Sequence, residues 1–232
     1  MRAAWIWTTI ACGIASTAYH VNRPGWFGKR DGRLTLQSVP VLPYLGAFRI
    51  ACELMRRWRA PDAPTLVAPG LWVGGRVAAN ALPAGVTHVV DLIAEFPAPA
   101  LIRALPGYRS LPVLDGGVPA DMVQFLALMA ELLAIDGGVL VHCDAGRGRA
   151  PTAAAALLIA RGDALDATTA VRMIQHHRPV AAPTRSDLAF LAAATPALRA
   201  LAGSRSSRYP SSTPARSPSA VAFPAAGAPG SP

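Results

Sequence analysis

Apolar and polar positions change rhythm several times along this chain of 232 residues. Residues 3–19 are uncharged throughout, and a second apolar stretch at 34–55 is interrupted by Pro40, Pro43, Arg49 and Glu53. Later, Gly138, Val139, Leu140 and Val141 form a short apolar, partly β-branched run that reads as a buried strand. The Ala- and Leu-rich stretch Arg149–Ala160 reads as a helix, as do 121–134, 165–177 and 185–201. From Gly203 onward the chain is Ser, Pro, Ala and Gly with scattered Arg and no period, which predicts a disordered tail.

Between the 138–141 strand and the 149–160 helix lies His142, Cys143, Asp144, Ala145, Gly146, Arg147, Gly148, Arg149. At such a junction free backbone N–H groups and the helix dipole favour an anion, and glycines let the backbone curl around it. Arg149 can offer a planar fork of donors to two phosphate oxygens, a grip that lysine cannot make. Helix N-termini and adjacent cations favour thiolate over thiol. Cys143 is therefore expected as a nucleophile at the base of a phosphate cradle formed by Asp144, Ala145, Gly146, Arg147, Gly148 and Arg149. A buried structural cysteine is the plainer alternative, and the register of strand, glycines, arginine and helix argues against it.

These residues resemble the signature of the cysteine-dependent protein tyrosine phosphatase superfamily, His-Cys, five residues, Arg, and most closely its dual-specificity branch. The resemblance runs from about Pro69 to Leu201. Leu71–Gly75 looks like the first strand and turn of that branch, and Gly85–Leu92 like its next parallel strand. Tyr108 and Leu111–Asp115 match the segment that carries the family's general acid, which implies that Asp115 protonates the leaving oxygen and later activates water. Taken alone, Asp115 before Gly116 reads as a turn residue, and Asp121 as a helix N-cap. His142 is implied as a supporting residue and Arg178 as a structural one. The resemblance implies an α/β fold, a central mostly parallel sheet flanked by helices with the signature loop between strand and helix. It implies no cofactor and no metal, and His176 and His177 read as cations at a helix end.

Two departures from the family pattern bear on rate. Where the family usually carries Ser or Thr after the signature arginine this chain has Ala150, and Thr152 is expected to face elsewhere on the helix. Slow breakdown of a phosphocysteine follows. The family's late water-positioning glutamine has no counterpart in Pro179–Asp187.

Charge divides unevenly. Residues 1–65 hold nine Lys/Arg against three Asp/Glu, residues 66–202 hold ten of each, and the tail adds three Arg. A neutral folded domain argues against nucleic-acid binding, whose basic surface belongs on that domain. The excess suits a membrane-proximal segment. Residues 3–19 reach the lower limit for crossing a bilayer, with Trp5, Trp7, Tyr19 and Trp26 as interfacial anchors. An uncleaved anchor is favoured over a signal peptide, because Ser16, Thr17, Ala18 is a poor cleavage motif. Arg23, Lys29, Arg30 and Arg33 then place this loop in the cytoplasm, and 34–55, followed by Arg56, Arg57 and Arg59, reads as a re-entrant or interfacial helix in preference to a second span in a hairpin, because that keeps the domain on the side of the basic loop. Cys12 and Cys52 lie in the two apolar stretches and read as packing residues.

The sequence thus divides into a membrane-associated region at 1–65, a catalytic domain at 66–202 and a tail at 203–232. It predicts a membrane-tethered phosphatase at the inner or cytoplasmic membrane, its catalytic domain in the cytoplasm, acting on a phosphoprotein or a phospholipid headgroup. A catalytically weak phosphate-binding pseudophosphatase is the alternative that Ala150 motivates. Oligomeric state is left open.

Overall fold

The structure, a computed structural model, describes residues 1–58, 63–77 and 81–208. Its centre is a five-stranded sheet of β3 (Thr65–Ala68), β4 (Leu71–Gly74), β5 (Val86–Ile93), β6 (Gly107–Val113) and β7 (Gly138–His142), in the order β3-β4-β7-β5-β6. β3 pairs antiparallel with β4, and every other pairing is parallel. All five residues of β7 are buried, which explains the unbroken apolar run: a central parallel strand faces core on both sides.

Helices cover the sheet: α3 (Ala100–Arg103), α4 (Met122–Leu133), α5 (Arg149–Arg161), α6 (Ala167–His177) and α7 (Arg185–Arg208). In α5 every residue from Arg149 to Ala160 is buried, the behaviour of a helix that is apolar all round. It ends at Gly162 in the left-handed conformation, φ 84°. Asp121 caps α4 by accepting from the N–H groups of Val123 and Gln124. The expected α/β architecture is therefore present. α7 continues through Gly203 to Arg208, and residues 209–232 of the low-complexity tail lie outside the described residues, as does Arg59.

The N-terminal region corrects one expectation. It forms α1 (Arg2–His20), a 3₁₀ turn, a small hairpin of β1 (Lys29–Arg30) and β2 (Arg33–Leu34), a second 3₁₀ segment and α2 (Leu42–Trp58). Among the described residues no helix is long and apolar enough to cross a membrane. Uncharged is not the same as apolar: Thr8, Thr9 and Thr17 interrupt α1, their hydroxyls donating back to carbonyls four residues earlier. The small residues Ala11, Ala15 and Ala18 make a fully buried stripe that brings α1 close to its neighbours. Ala15 and Ala18 share a core with Phe27, Val41, Leu45, Ala94 and Leu114, the last two on the phosphatase-like part of the chain. An aromatic series of Tyr19, Phe27, Tyr44, Phe48 and Phe96 continues the same packing, with ring centroids 5.7–6.4 Å apart. The first part of α1 stays outside, where Trp5, Ile6, Trp7 and Ile10 are exposed.

Candidate active site

The loop between β7 and α5 curls at Gly146, which adopts φ 65°. A Cβ there would lie 2.5 Å from the Gly74 carbonyl carbon and 2.6 Å from the Gly75 nitrogen, so the end of β4 presses on the loop and only glycine fits. The Gly146 N–H donates to Cys143 Sγ at 3.2 Å. Cys143 is buried at the base of the curl. From outside, Arg178 donates through Nε to the Gly146 carbonyl at 2.9 Å and through Nη1 to Ala63 O and Thr65 Oγ1, tying the loop to β3. The Ala182 N–H donates to Arg147 O at 2.7 Å.

Arg149 opens α5 and is buried, and its guanidinium already holds protein partners. Nη1 donates to Glu95 Oε2 at 3.0 Å and to Val113 O at 2.8 Å, while Nη2 donates to Asp115 Oδ1 at 2.9 Å. Burial alone would lower the affinity of this group for its proton, but Glu95, the Cys143 sulfur and Asp115 outweigh it and hold Arg149 firmly cationic. The Asp115 carboxylate is 58% exposed, so the group paired with the buried arginine also reaches the surface. Its loop turns at Gly116, φ 71°, with the Gly117 N–H donating to Leu114 O.

His142 lies in the core, and among the described residues neither ring nitrogen has a hydrogen-bond partner; Nε2 is 3.9 Å from Asp91 Oδ1. Burial pushes its pKa below the ordinary histidine value, so the ring is neutral at pH 7. Asp144 turns outward from the loop to pair with Arg76, which also reaches Glu53 at 2.9 Å and stacks 4.7 Å above the Phe96 ring. Ala150 is fully buried, and the Thr152 hydroxyl donates to Gly148 O at 2.9 Å, spending its proton on the helix backbone.

The sequence reading therefore named residues that the fold brings together: the loop 143–149, Asp115 at Arg149, and His142 beneath. It missed the polar floor. Glu95 accepts from the Asp115 N–H at 2.7 Å and from the Tyr19 hydroxyl at 3.1 Å through Oε1. Asp91 accepts from Lys29 Nζ at 2.7 Å, Tyr108 Oη at 2.8 Å and the Ile93 N–H at 2.9 Å. Burial works to raise the Asp91 carboxyl, and His142 and Lys29 outweigh it, holding it below the usual carboxylate range. A signal existed, since Asp91 and Glu95 are two acids inside the apolar run from Val89 to Phe96, and carboxylates are almost never fully buried unless paired. Lys29 corrects the reading of the basic loop: it does not face solvent or lipid but is sealed in an ion pair.

No curated protein matches the chain in sequence. Among solved structures, human DUSP28 is 29% identical, with a TM-score of 0.50 over 60% of this chain and 97% of its own. DUSP15 is 26% identical, TM-score 0.50, over 62% of this chain and 96% of its own. PTPMT1 shares the fold at 22% identity, TM-score 0.51, over 61% of this chain and 99% of its own. Residues 76–207 match the family model described as "PTP-SAK: Swiss Army Knife protein, DSP-PTPase phosphatase domain". With a thiol, a curled glycine loop and a buried arginine inside that match, the chain belongs to the PTP-SAK family of the dual-specificity branch and is a cysteine-dependent phosphatase.

Proposed function

We propose that the protein hydrolyses phosphomonoesters at a membrane surface through a phosphocysteine on Cys143. The loop amides and Arg149 grip three phosphoryl oxygens, the Cys143 sulfur attacks phosphorus in line, and Asp115 delivers a proton to the departing oxygen. Asp115 then takes a proton from water as the oxygen of that water attacks phosphorus and the thiolate leaves. The observation that carries this reading is the meeting of groups at Arg149: one buried guanidinium reaches from the head of the thiol loop to the half-exposed Asp115 carboxylate.

A lipid surface is supported by the exposed apolar residues Trp5, Ile6, Trp7 and Ile10 on α1 and Ile50, Leu54 and Met55 on α2, with Arg2, Arg49, Arg56 and Arg57 on the same two helices. Aromatic and aliphatic side chains beside cations are the pattern of peripheral binding to anionic headgroups. A phospholipid headgroup is accordingly favoured as substrate over a phosphoprotein, on the cytoplasmic face of the membrane, where a reducing compartment preserves the thiolate. Ala150 supports a second reading, a phosphate-binding protein with feeble turnover.

The test is phosphate release from an aryl phosphate, a phosphotyrosine peptide and phosphatidylglycerophosphate vesicles by the wild type and by Cys143→Ser. Loss of release in the variant is expected, with vesicles preferred. Equal release by both proteins removes the enzymatic reading.

A further inference from the structure

The Glu95 carboxylate, 1% exposed, is shared by three parts of the chain. Oε2 accepts from Arg149 Nη1, and Oε1 accepts both from the Asp115 N–H and from the Tyr19 hydroxyl on α1. A buried carboxylate holds its orientation only as well as its donors fix it. Two of those donors belong to groups that must adjust during a reaction, the arginine at the phosphate and the loop that bears the acid. Tyr19 is different. Its ring is locked edge-on against Phe27, with centroids 5.7 Å apart, and against Tyr44 at 6.4 Å. Its helix is seated by the buried Ala15 and Ala18 in the core that also contains Ala94 and Leu114, the residues just before Glu95 and Asp115.

Resting on the reading that Arg149 and Asp115 act on the phosphate, we propose that Tyr19 is a positioning residue of the active site, anchoring Glu95 so that Arg149 and the Asp115 loop keep a common geometry. The N-terminal helix, outside the stretch that matches the phosphatase family, then completes the catalytic floor. Burial and the nearby Glu95 push the Tyr19 hydroxyl well above its ordinary pKa, so it stays a donor throughout the working pH range.

Tyr19→Phe keeps the ring and removes only the hydroxyl. The losses expected are about ten-fold in kcat/KM for phenyl phosphate, the order of one hydrogen bond to a charged group, and a smaller loss for para-nitrophenyl phosphate, which needs its proton less. The dissociation constant for inorganic phosphate should rise several-fold, as Arg149 loses its fixed orientation. In a Glu95→Gln background the same substitution should add no further loss. Equal losses for both esters with unchanged phosphate affinity would reduce Tyr19 to packing, and additive losses in the double variant would show that it does not act through Glu95. If release by the wild type does not depend on Cys143, the enzymatic reading fails by itself, and phosphate affinity in Tyr19→Phe still decides the positioning role.

Discussion

Lys29 Nζ donates to Asp91 Oδ2 at 2.7 Å, and both side chains are closed off from solvent. The pair joins the N-terminal hairpin to β5 beside His142, the register partner of Asp91 on β7, whose ring lies 3.9 Å from the other Asp91 oxygen. Burial pulls the Lys29 ammonium down while Asp91 pulls it back, so the pair holds together only as a unit. Its worth is mainly specificity of packing, because the desolvation of two buried charges cancels much of their attraction.

Breaking the unit from one side is another matter. Lys29→Met leaves the Asp91 carboxylate buried with, among the described residues, Tyr108 and the Ile93 N–H as its hydrogen-bond donors. A loss of about 3–5 kcal/mol in unfolding free energy is expected, the usual cost of an uncompensated buried charge. Denaturant unfolding of Lys29→Met beside Lys29→Met/Asp91→Asn measures it. Recovery of most of the loss in the double variant is the expected result, and equal instability of the two would show that the charge is not the cause.

Two of these groups make stability depend on pH in the same direction. His142 is held below its ordinary value of 6.5, so just below that pH the unfolded chain takes up a proton that the folded chain refuses. The His142 contribution to stability is therefore complete above about pH 6.5 and declines as pH falls below it. Asp91, depressed below 3.8, adds a second loss as pH falls through its folded value. Lys29, also lowered, works in the same direction beneath 10.5. Thermal melts from pH 7.5 to 4.5 should show a falling Tm, and in His142→Gln the part of the slope between about pH 6.5 and 5 should flatten. An unchanged slope would assign the acid sensitivity to other groups.

Sequence patterns carried the parts of this protein that depend on neighbours along the chain. The loop from Cys143 to Arg149 is specified by its own glycines and by the strand and helix on either side, which is why its limits and the start of α5 were readable. Partners far away were not. Tyr19 and Glu95 are 76 residues apart, and Lys29 and Asp91 are 62. Nothing in local periodicity says which buried carboxylate a given donor will find. Residues 3–19 misled for a related reason: a stripe of alanines at 11, 15 and 18 suits close helix packing as well as it suits a bilayer, and only tertiary contacts decide between them.

At Asp115 the proposed role depends on the leaving group. Asp115→Asn preserves size and can still accept from Arg149, but it cannot deliver a proton. Phenyl phosphate, with its poorly leaving phenolate, should lose about 10²- to 10⁴-fold in kcat/KM and para-nitrophenyl phosphate much less. Equal losses for the two esters would leave Asp115 as an arginine partner only.

The exposed start of α1 predicts where the protein rests. Replacing Trp5, Ile6 and Trp7 together with Ser removes a large part of the apolar face without touching the buried Ala11, Ala15 and Ala18. Co-sedimentation with anionic vesicles should fall at least about ten-fold, while release from a soluble aryl phosphate stays unchanged. Binding that survives the triple substitution would remove α1 from the lipid contact.

Ala150 bears on the second chemical step. A hydroxyl at this position could donate to the departing sulfur, but alanine cannot, and Thr152 is committed to the Gly148 carbonyl. Attack by Cys143 does not need that hydroxyl, whereas hydrolysis of the phosphocysteine does, because the thiolate is then the leaving group. The wild type should therefore show a stoichiometric burst of phenolate followed by slow turnover. Ala150→Ser should shorten the life of the trapped phosphocysteine and raise the steady-state rate about ten-fold, the order expected for one hydrogen bond to a developing charge. The side chain enters a fully buried site, so some stability is lost if its hydroxyl finds no partner. Rapid-quench measurement of the phosphoenzyme separates the outcomes: a smaller burst with faster turnover places the limit at hydrolysis, and an unchanged phosphoenzyme lifetime in Ala150→Ser would place it elsewhere.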